Sequence, residues 1–414
     1  MSLYRFLPAP SHRMAVMWTL MSVKDAIVLE YGPAGTTHYS MGLFGSMGLS
    51  NENRLFTTHI SEDDVVMGDV SRLENAIVEL DASFKPKVIF VMESGVTSVI
   101  GTDIHGVCKH IQEKVSAHVI SVGEGGLRGD YATGLCEAYK TIVSQLPVDG
   151  AQQQQTINIL GASAGSYRIT SDVWELKDLF NRAFGLRVGV CLGLETPVKE
   201  IQQMSGASLN VALRTEAIPC AEILKDRFGT PFVYGSPYGY SGTLSWLKEI
   251  GVALGVDINE IVEETLAQKD QESRQNLMPG MMGGIRQFNA TIVGDYDLLR
   301  GISAFLKEAG ITHVNMICSH GLKDVTHKAE GITYFETEKE RLMFLKSINN
   351  HLLLADDVSM HVAPKDNMGV CVSFPFSKHP QVATHLPIMG ERGADMLLEL
   401  VERFMARPVT STNK

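Results

Sequence analysis

The sequence contains no closely spaced cysteines and therefore lacks the usual signature of a zinc site or a disulfide framework. Its six cysteines are scattered through 414 residues, and no CxxC pair occurs. Structural zinc sites need thiolate and imidazole ligands in closely spaced groups, which this pattern excludes. A chain of this length can build sizeable apolar cores without disulfides. We therefore expect most of the cysteines to be buried, free thiols.

An excess of basic residues and a long apolar run are also missing. Lysine and arginine number 36 against 47 aspartates and glutamates, which gives a formal net charge of −11. Nucleic-acid partners require a basic surface, so this balance argues against them. No stretch reaches the ~18 to 20 apolar residues that span a bilayer, and residues 1–23 lack the pattern of a signal peptide. The sequence predicts a cytoplasmic protein that binds neither nucleic acid nor membrane.

Short β-branched runs alternate with amphipathic helical segments along the whole chain. Ala26–Glu30 and Ala290–Val293 are typical strand-like runs, and Leu73–Phe84 has apolar residues at helical spacing. Asp172 precedes another helical pattern as a candidate N-cap, with Glu175 three residues later. Strands that alternate with helices predict parallel sheets with helices on both faces. The sequence therefore predicts an α/β fold.

Two interruptions divide the chain into three pieces of ordinary domain size. Residues 147–156 are polar without an apolar period, and residues 268–287 run from a charged helix end into a segment rich in glycine and methionine. The predicted domains are residues 1–150, 151–280 and 281–414. Each is expected to be Rossmann-like, with a parallel sheet of roughly four strands flanked by helices. Ligands of such sheets bind beyond the carboxyl ends of the strands, so residues directly after strands are functional candidates.

Three loops near the N-terminus each follow a strand-like run: Tyr31–Tyr39, Thr57–Asp64 and Glu93–Asp103. The first contains Gly-Pro-x-Gly, which on its own is typical of a tight turn. The second leads into Glu-x-Asp-Val-Val-x-Gly and the third into Ile-Gly-x-Asp. In order and spacing these motifs resemble the nitrogenase component 1 family, in which such loops hold an iron–sulfur cluster.

The resemblance covers roughly residues 12–405 and includes Ile157–Gly161, Phe228–Phe232 and Pro387–Ala394. It implies three Rossmann-like domains and an oxidoreductase subunit that pairs with a related subunit. Such a subunit accepts electrons from an ATP-dependent iron–sulfur reductase and reduces a small molecule in a shared cavity.

The cluster cysteines of the family are absent from this chain. Thr36 stands in place of the first, Thr57 or Thr58 in place of the second, and Gly95 in place of the third. Iron–sulfur clusters are normally held by thiolates, so we do not expect this chain alone to supply an all-cysteine cluster. The residues that the resemblance implies at a cofactor are Gly32, Gly35, Thr36, His38, Thr58, Ser94 and Gly95.

A cluster shared between two subunits is the alternative that the resemblance leaves open. In dark-operative protochlorophyllide reductases one subunit supplies three cysteines and the other a single carboxylate. Asp63 is the candidate for that carboxylate here. The competing interpretation is that Glu62–Asp64 only favour the start of a helix, where negative charge is stabilising.

Two later segments bear on metal binding. The family's second metal site uses a cysteine whose position falls near Leu213 in this sequence, which argues against dinitrogen reduction by this chain alone. Cys318 and His320 end a strand in the third piece, where a thiol beside an imidazole can bind a metal or a substrate. A cysteine that simply closes a buried strand is the alternative.

The turn Gly161–Ser166 resembles a phosphate-binding loop but lacks its full pattern.

The sequence leaves two functions open. The first is the oxidoreductase subunit that the resemblance implies, with an iron–sulfur cluster shared at a subunit interface or none. The second is a non-catalytic scaffold or structural subunit for metallocofactor assembly, which the missing cysteines favour.

Overall fold

The computed structural model describes residues 5, 10–35, 37, 41–42, 54–123, 129–150, 154–282, 288–321, 331–376 and 386–408. Within these ranges the strands form three parallel sheets of four, four and five strands and one short two-stranded pair. The predicted α/β fold with helix-flanked parallel sheets is confirmed. No helix among these residues is long and apolar enough to cross a membrane.

The first sheet is built from the N-terminal part of the chain. Its strands are β2 (Ala26–Tyr31), β3 (Leu55–Thr57), β4 (Val88–Glu93) and β5 (His118–Val122). Their spatial order is β3-β2-β4-β5, and every pair is parallel. The connections therefore diverge to either side of β2, which makes its carboxyl end the switch point where ligands bind in such sheets.

The second and third sheets repeat this arrangement. The second contains β6 (Gln154–Leu160), β7 (Arg187–Leu192), β9 (Ala207–Ala212) and β10 (Phe232–Tyr234), in the order β10-β9-β6-β7. The third contains β11 (Asn289–Gly294), β12 (His313–Cys318), β13 (Ile332–Thr333), β14 (His351–Ala355) and β15 (Met368–Cys371), in the order β13-β12-β11-β14-β15. A parallel pair, β1 (Val23–Lys24) and β8 (Thr196–Pro197), links the first segment to the second.

Helices cover the sheets and fill the space between them. They are α1 (His12–Met21), α2 (Glu62–Met67), α3 (Ser71–Phe84), α4 (Gly95–Ile100), α5 (Ile104–Ile111), α6 (Tyr131–Gln145), α7 (Ile169–Phe184), α8 (Val198–Gln202), α9 (Ile218–Phe228), α10 (Gly239–Leu254), α11 (Glu260–Met282), α12 (Tyr296–Glu308), α13 (Glu338–Ser347), α14 (Asp357–Val362) and α15 (Gly390–Met405).

Helices α1 and α6 pack closely against each other between the first and second sheets. Trp18 of α1 and Tyr139 of α6 are fully buried there, in a core cluster that continues into the other two sheets. The close approach depends on Gly134, because a Cβ at this position would lie 2.2 Å from the carbonyl oxygen of His12. This helix pair therefore fixes the first sheet against the rest of the molecule.

Several predicted elements are confirmed and others are corrected. The run Leu73–Phe84 lies within α3, while α11 continues through much of the predicted second interruption. The predicted N-cap at Asp172 is wrong: α7 begins at Ile169, and Asp172 lies within its first turn. All six cysteines are free, as expected, and five of them are buried. The division into three domains at these two boundaries remains a prediction.

Replacing Gly134 with alanine should destabilise the protein, because the added methyl group forces α1 and α6 apart. We expect a loss of about 1–3 kcal/mol, measured by chemical unfolding. Gly242 is the matched control, since it also lies within a helix but a Cβ there would meet no atom within 4 Å. Gly242→Ala should be neutral or stabilising. Equal stability of the Gly134→Ala variant and the wild type would contradict this packing.

Candidate functional site

The loops that follow β2 and β3 are joined by threonine hydroxyls. The amide of Gly32 donates a hydrogen bond to Oγ1 of Thr58 at 3.1 Å, and Oγ1 of Thr57 donates to the carbonyl of Gly32 at 2.9 Å. The amide of Ile60 donates to the same carbonyl at 3.2 Å. Thr57 and Thr58, one of which is the predicted counterpart of the family's second cysteine, therefore both bind backbone groups of the neighbouring loop.

The loop after β4 joins the same group through Ser94 and Thr97. The Ser94 hydroxyl accepts from the Thr97 amide at 3.2 Å and caps α4, and Thr97 Oγ1 accepts from the Ser94 amide at 2.9 Å. Thr97 Oγ1 also lies 2.9 Å from the carbonyl oxygen of Tyr31, to which it donates. A Cβ on Gly32 would lie 2.4 Å from Cβ of Ser94, so only glycine fits between the loops.

Hydrogen bonds of hydroxyl groups therefore join the loops at the carboxyl edge of the first sheet. Gly95 begins α4 and has no side chain to offer, and Gly35 is exposed. Thr36 and His38 lie outside the described residues. Because the threonine hydroxyls are already engaged and thiols are lacking here, the described loop residues do not fit a thiolate-held cluster.

A buried carboxylate at the end of β2 also supports this edge, although sequence analysis did not single it out. Glu30 is fully buried, forms an ion pair with Arg13 and accepts a hydrogen bond from the hydroxyl of Thr37. The signal in the sequence was a glutamate at the end of an apolar strand run, since buried charges are almost always paired.

Asp63 is exposed in the first turn of α2. Its neighbour Asp64 forms a capping box with Ser61 and an ion pair with Arg72 at 2.8 Å. The Ser61 hydrogen bonds lower the pKa of Asp64, and Arg72 adds to this effect. The helix-capping interpretation is therefore confirmed for Asp64, while the ligand role of Asp63 remains a prediction.

A cavity lies where the carboxyl edges of the second and third sheets meet. Its wall is formed by residues that directly follow β6, β9, β10, β11, β12 and β15, among them Gly161, Leu213, Ser236, Asp295 and Ser319. Gly161 follows β6 and Leu213 follows β9. Between these two neighbouring strands the connections of the second sheet diverge to either side. We call this space the inner cavity. Such switch points are where parallel sheets bind ligands.

Glycines of the Gly161–Ser166 turn make room for side chains in this wall. Gly161 has a φ of +92°, and a Cβ there would lie 2.8 Å from Cγ of Arg214. A Cβ on Gly165 would lie 2.2 Å from the hydroxyl oxygen of Tyr131. The glycines of this turn therefore make room for the side chains of Arg214 and Tyr131 beside the cavity. This packing accounts for the glycines that make the turn resemble a phosphate-binding loop.

A chain of buried charges crosses from the second sheet to the third. Arg214 forms ion pairs with Glu216 at 2.8 Å and with Asp295 at 3.2 Å. Glu216 in turn lies 3.6 Å from Nε2 of His320. Burial opposes the charged imidazole, but Cys318, Glu216 and Asp130 outweigh it and raise the pKa of His320 to about 10. These neighbours therefore favour the charged form of the imidazole.

Cys318 and His320 lie together, as the sequence suggested. The Sγ of Cys318 is 4.0 Å from Nε2 of His320, and both residues are buried. They line a second space beside the inner cavity, which we call the outer cavity, together with Asp130, Tyr334 and other residues. Within the described part of the chain, no group of three or more His, Cys, Asp or Glu side chains is placed to hold a metal ion by itself.

Asp172 fixes the loop before α15 instead of capping α7. Its Oδ1 accepts hydrogen bonds from the amides of Ile388 and Met389 at 2.6 and 3.0 Å, and all three residues line the inner cavity. Burial raises the pKa of Asp172 to about 7 despite these donors and the nearby Arg168. The sequence around Asp172 does not indicate this role, because the partner amides lie more than 200 residues away.

Comparison with known proteins identifies the family. The sequence matches the family described as nitrogenase component 1 type oxidoreductase over residues 11–405. The chain belongs to this family. The resemblance inferred from the loop motifs is therefore confirmed.

Relatives of this nitrogenase component 1-type chain include nitrogenase iron-molybdenum cofactor biosynthesis proteins NifE. The NifE of Clostridium pasteurianum is 30% identical over 242 residues, which are 57% of this chain and 52% of the relative. The NifE of Klebsiella pneumoniae is 28% identical over 278 residues, 63% of this chain and 60% of the relative. The chain thus matches only a little over half the length of these relatives. The NifE of Bradyrhizobium diazoefficiens is 23% identical over 419 residues, which cover 94% of this chain and 72% of the relative.

Solved structures of nitrogenase Cp1 share the fold. The structure at pH 6.5 superposes with a TM-score of 0.78 and 16% identity and covers 98% of this chain and 94% of its own. The structure at pH 5 has a TM-score of 0.73 and 17% identity, and the match covers 98% of this chain and 90% of the nitrogenase Cp1 chain. At this identity the likeness establishes the component 1 fold.

Replacing Thr97 with valine should loosen the first-sheet loops, since it removes the hydroxyl shared by Ser94 and Tyr31 without changing the size of the side chain. We expect a loss of about 1–2 kcal/mol, measured by chemical unfolding. Thr265→Val is the control, because its hydroxyl only donates to Ile261 one turn earlier on the surface of α11. Similar effects of the two substitutions would show that Thr97 does not join the loops.

Replacing Asp172 with asparagine should change how stability depends on pH. The native state holds a proton on Asp172 up to about pH 7, whereas the unfolded chain releases it near 3.8. The native state therefore binds more protons in this window, and the carboxyl group's contribution to stability falls as pH rises through it. Asparagine keeps an acceptor oxygen and stays neutral, so the melting temperature of Asp172→Asn relative to wild type should rise from pH 4 to 7.

The exposed Asp257 provides the control for this titration. Asp257→Asn should show no such trend relative to wild type over the same pH range. A constant difference between Asp172→Asn and wild type from pH 4 to 7 would contradict the raised pKa.

Proposed function

We propose that this chain is a scaffold-type subunit that holds a metal–sulfur precursor at the inner and outer cavities during cofactor assembly. The names of its NifE relatives, which are cofactor biosynthesis proteins, support an assembly role. The same relatives are matched over only part of their length, so their activity and partners enter here as part of the proposal. The precursor is cargo rather than a resident cofactor of this chain.

The observation that carries the proposal is the buried pair Cys318 and His320 at the wall of the outer cavity. Thiolate and imidazole are suitable protein ligands for iron in sulfur-rich surroundings. The sulfides of a precursor already occupy most of the coordination positions of its irons, so few ligands from the protein are needed. The first-sheet loops support the same conclusion, because Thr57 and Thr58 are engaged with the backbone there.

The buried charges behind the pair would hold it in position. Arg214 fixes Glu216 through a direct ion pair, and Glu216 lies beside the imidazole of His320. The other ring nitrogen of His320, Nδ1, lies 3.2 Å from the carbonyl oxygen of Gly321, to which it donates, and an imidazole oriented through its second nitrogen is a common arrangement at metal sites. Binding of a metal by His320 would displace a proton, because imidazole binds metals in its neutral form.

An electron-accepting oxidoreductase subunit is the second candidate function. It is supported by exposed apolar side chains on α2 and α4, the helices that follow β3 and β4 at the same edge of the first sheet: Val66, Met67, Val96, Val99 and Ile100. Apolar patches of this kind mark protein interfaces. A related subunit on this edge would supply thiolates, Asp63 would add a carboxylate, and an ATP-dependent iron–sulfur reductase would deliver electrons.

Replacing Cys318 with serine should weaken the retention of iron–sulfur cargo by about tenfold. The protein would be purified anaerobically, incubated with iron, sulfide and a reductant, and passed through a gel-filtration column. Iron and sulfide per chain are then measured. Cys108→Ser is the matched control, because Cys108 is as deeply buried as Cys318 but lies in α5, away from both cavities.

Two results would contradict the scaffold proposal. One is a wild-type protein that retains no iron and sulfide. The other is a Cys318→Ser variant that retains as much iron as wild type. If Asp63→Ala instead abolished iron retention in a complex co-expressed with a related three-cysteine subunit, the shared cluster would be favoured.

A further inference from the structure

A groove lies at the outer edge of the second sheet, between helix α7 and strand β7. Residues of α7, of β7 and of the segment that follows β7 line it, and none of them lines the inner or the outer cavity. We call this space the edge groove. Its apolar lining is formed by Val173, Trp174, Val188, Cys191 and Leu194. The edge groove is therefore separate from the site assigned to the cargo.

Strand β7 offers an open backbone edge beside this groove. Among the described strands it pairs with β6 alone, because it is the last strand in the spatial order of the second sheet. It contains no proline, and its one charged residue, Arg187, stands at its start. Such edge strands are templates for pairing with another chain. The carbonyl of Cys191 already accepts from the amide of Leu194 and the hydroxyl of Thr196, so the open part of the edge lies before Cys191, where Gly189 lines the groove.

Trp174 supplies a large apolar contact surface in the same groove. Its side chain is 65% exposed, whereas the other two tryptophans, Trp18 and Trp246, are buried. The buried residues Val173 and Cys191 line the groove with it. Tryptophan is enriched among the interface residues that contribute most to binding, especially in well-packed apolar surroundings. A partner seated in the groove would cover this indole.

Lys177 is the only cationic side chain that lines the edge groove. It forms no ion pair with any described residue. Burial raises the pKa of the Cys191 thiol to about 12, and Lys177 acts against this rise, so its charge reaches the buried side of the groove. A positive charge on the partner-binding face favours a partner that carries a negative one.

The two carboxylates of the groove lining do not pair with Lys177. Glu195 pairs with Arg54 at 3.1 Å and lies 3.8 Å from Nζ of Lys24. Glu200 is exposed on α8 and forms no ion pair with any described residue. The ammonium group of Lys177 is therefore available to a carboxylate of a partner.

We propose that the edge groove binds an extended segment of a partner protein, which adds a strand to β7 and carries an acidic side chain opposite Lys177. Side chains of an added strand point alternately to its two faces. Backbone hydrogen bonds to β7 can therefore form while every second side chain contacts Trp174 and the apolar lining. The cargo cavities take no part in this binding, so the inference goes beyond the proposed function and does not rest on it.

A library of random twelve-residue peptides, displayed on phage and selected on the purified full chain, is the probe. Enriched peptides are synthesised with a fluorescent label, and their affinities are measured by fluorescence anisotropy. We expect sequences in which apolar residues alternate with other residues and an acidic residue recurs at one position. Trp174→Ala should weaken their binding about tenfold or more, because it removes the largest apolar contact.

Lys177→Glu tests the charge of the groove. It should weaken binding of the acidic peptides about tenfold or more, since like charges then face each other. A peptide with lysine in place of the acidic residue should bind this variant better than it binds wild type. Ile261→Ala and Lys109→Glu are the matched controls, because both residues are exposed on helices outside the groove lining, α11 and α5. Both controls should bind the acidic peptides as wild type does, and thermal unfolding establishes that each variant is folded.

Methylation of the peptide backbone tests strand addition itself. Every second amide nitrogen is methylated in one version of an enriched peptide, and the remaining amide nitrogens are methylated in the other. If the peptide pairs with β7, one pattern should abolish binding and the other should be tolerated, because only alternate amides face the neighbouring strand.

Three results would overturn the edge-groove proposal: no enriched peptides on wild type, wild-type affinity in a folded Trp174→Ala or Lys177→Glu variant, or equal effects of the two methylation patterns. If peptides bind as expected while iron–sulfur cargo is not retained, the edge groove stands and the scaffold function fails. The reverse combination overturns the edge groove alone.

Discussion

The arrangement of the second and third sheets depends on the buried guanidinium of Arg214. It is 5% exposed and pairs with Glu216 on its own side and with Asp295, directly after β11, on the other. Burial works against the charged group, but these carboxylates outweigh that effect and raise its pKa. Removing one member of such a buried pair typically costs about 3–5 kcal/mol. Arg214 also leaves no room for a side chain at Gly161, and it holds Glu216 beside His320. Both the packing of the cavity wall and the charge next to His320 therefore depend on this one residue.

Hydroxyl groups join the loops at the carboxyl edge of the first sheet. The hydroxyls of Thr57, Thr58 and Thr97 bind backbone groups of neighbouring loops, and Gly32 is necessary because Ser94 packs against it. These hydrogen bonds fix the positions of the loops relative to one another, so the described hydroxyls at this edge are already engaged within the chain.

Much of the fold could be predicted from the sequence because strand runs and helical periods are local signals. The strands β3, β9 and β14 were not predicted. The apolar runs of β3 and β14 are short, and that of β9 is interrupted by polar residues such as Asn210. The pair Cys318 and His320 was found because both residues adjoin one strand end. The role of Asp172 and the pairing of Arg214 with Asp295 were not found, because these partners lie far away in the chain and only the packing of the sheets brings them together.

On the proposed function, metal–sulfur cargo binds between the second and third sheets and not at the loops of the first. Crystals of the protein loaded anaerobically with iron and sulfide would test it directly, through an anomalous difference map at the iron absorption edge. We expect the strongest peak beside Cys318 and His320. A peak at the edge of the first sheet, next to Gly32, Thr58 and Gly95, would contradict it.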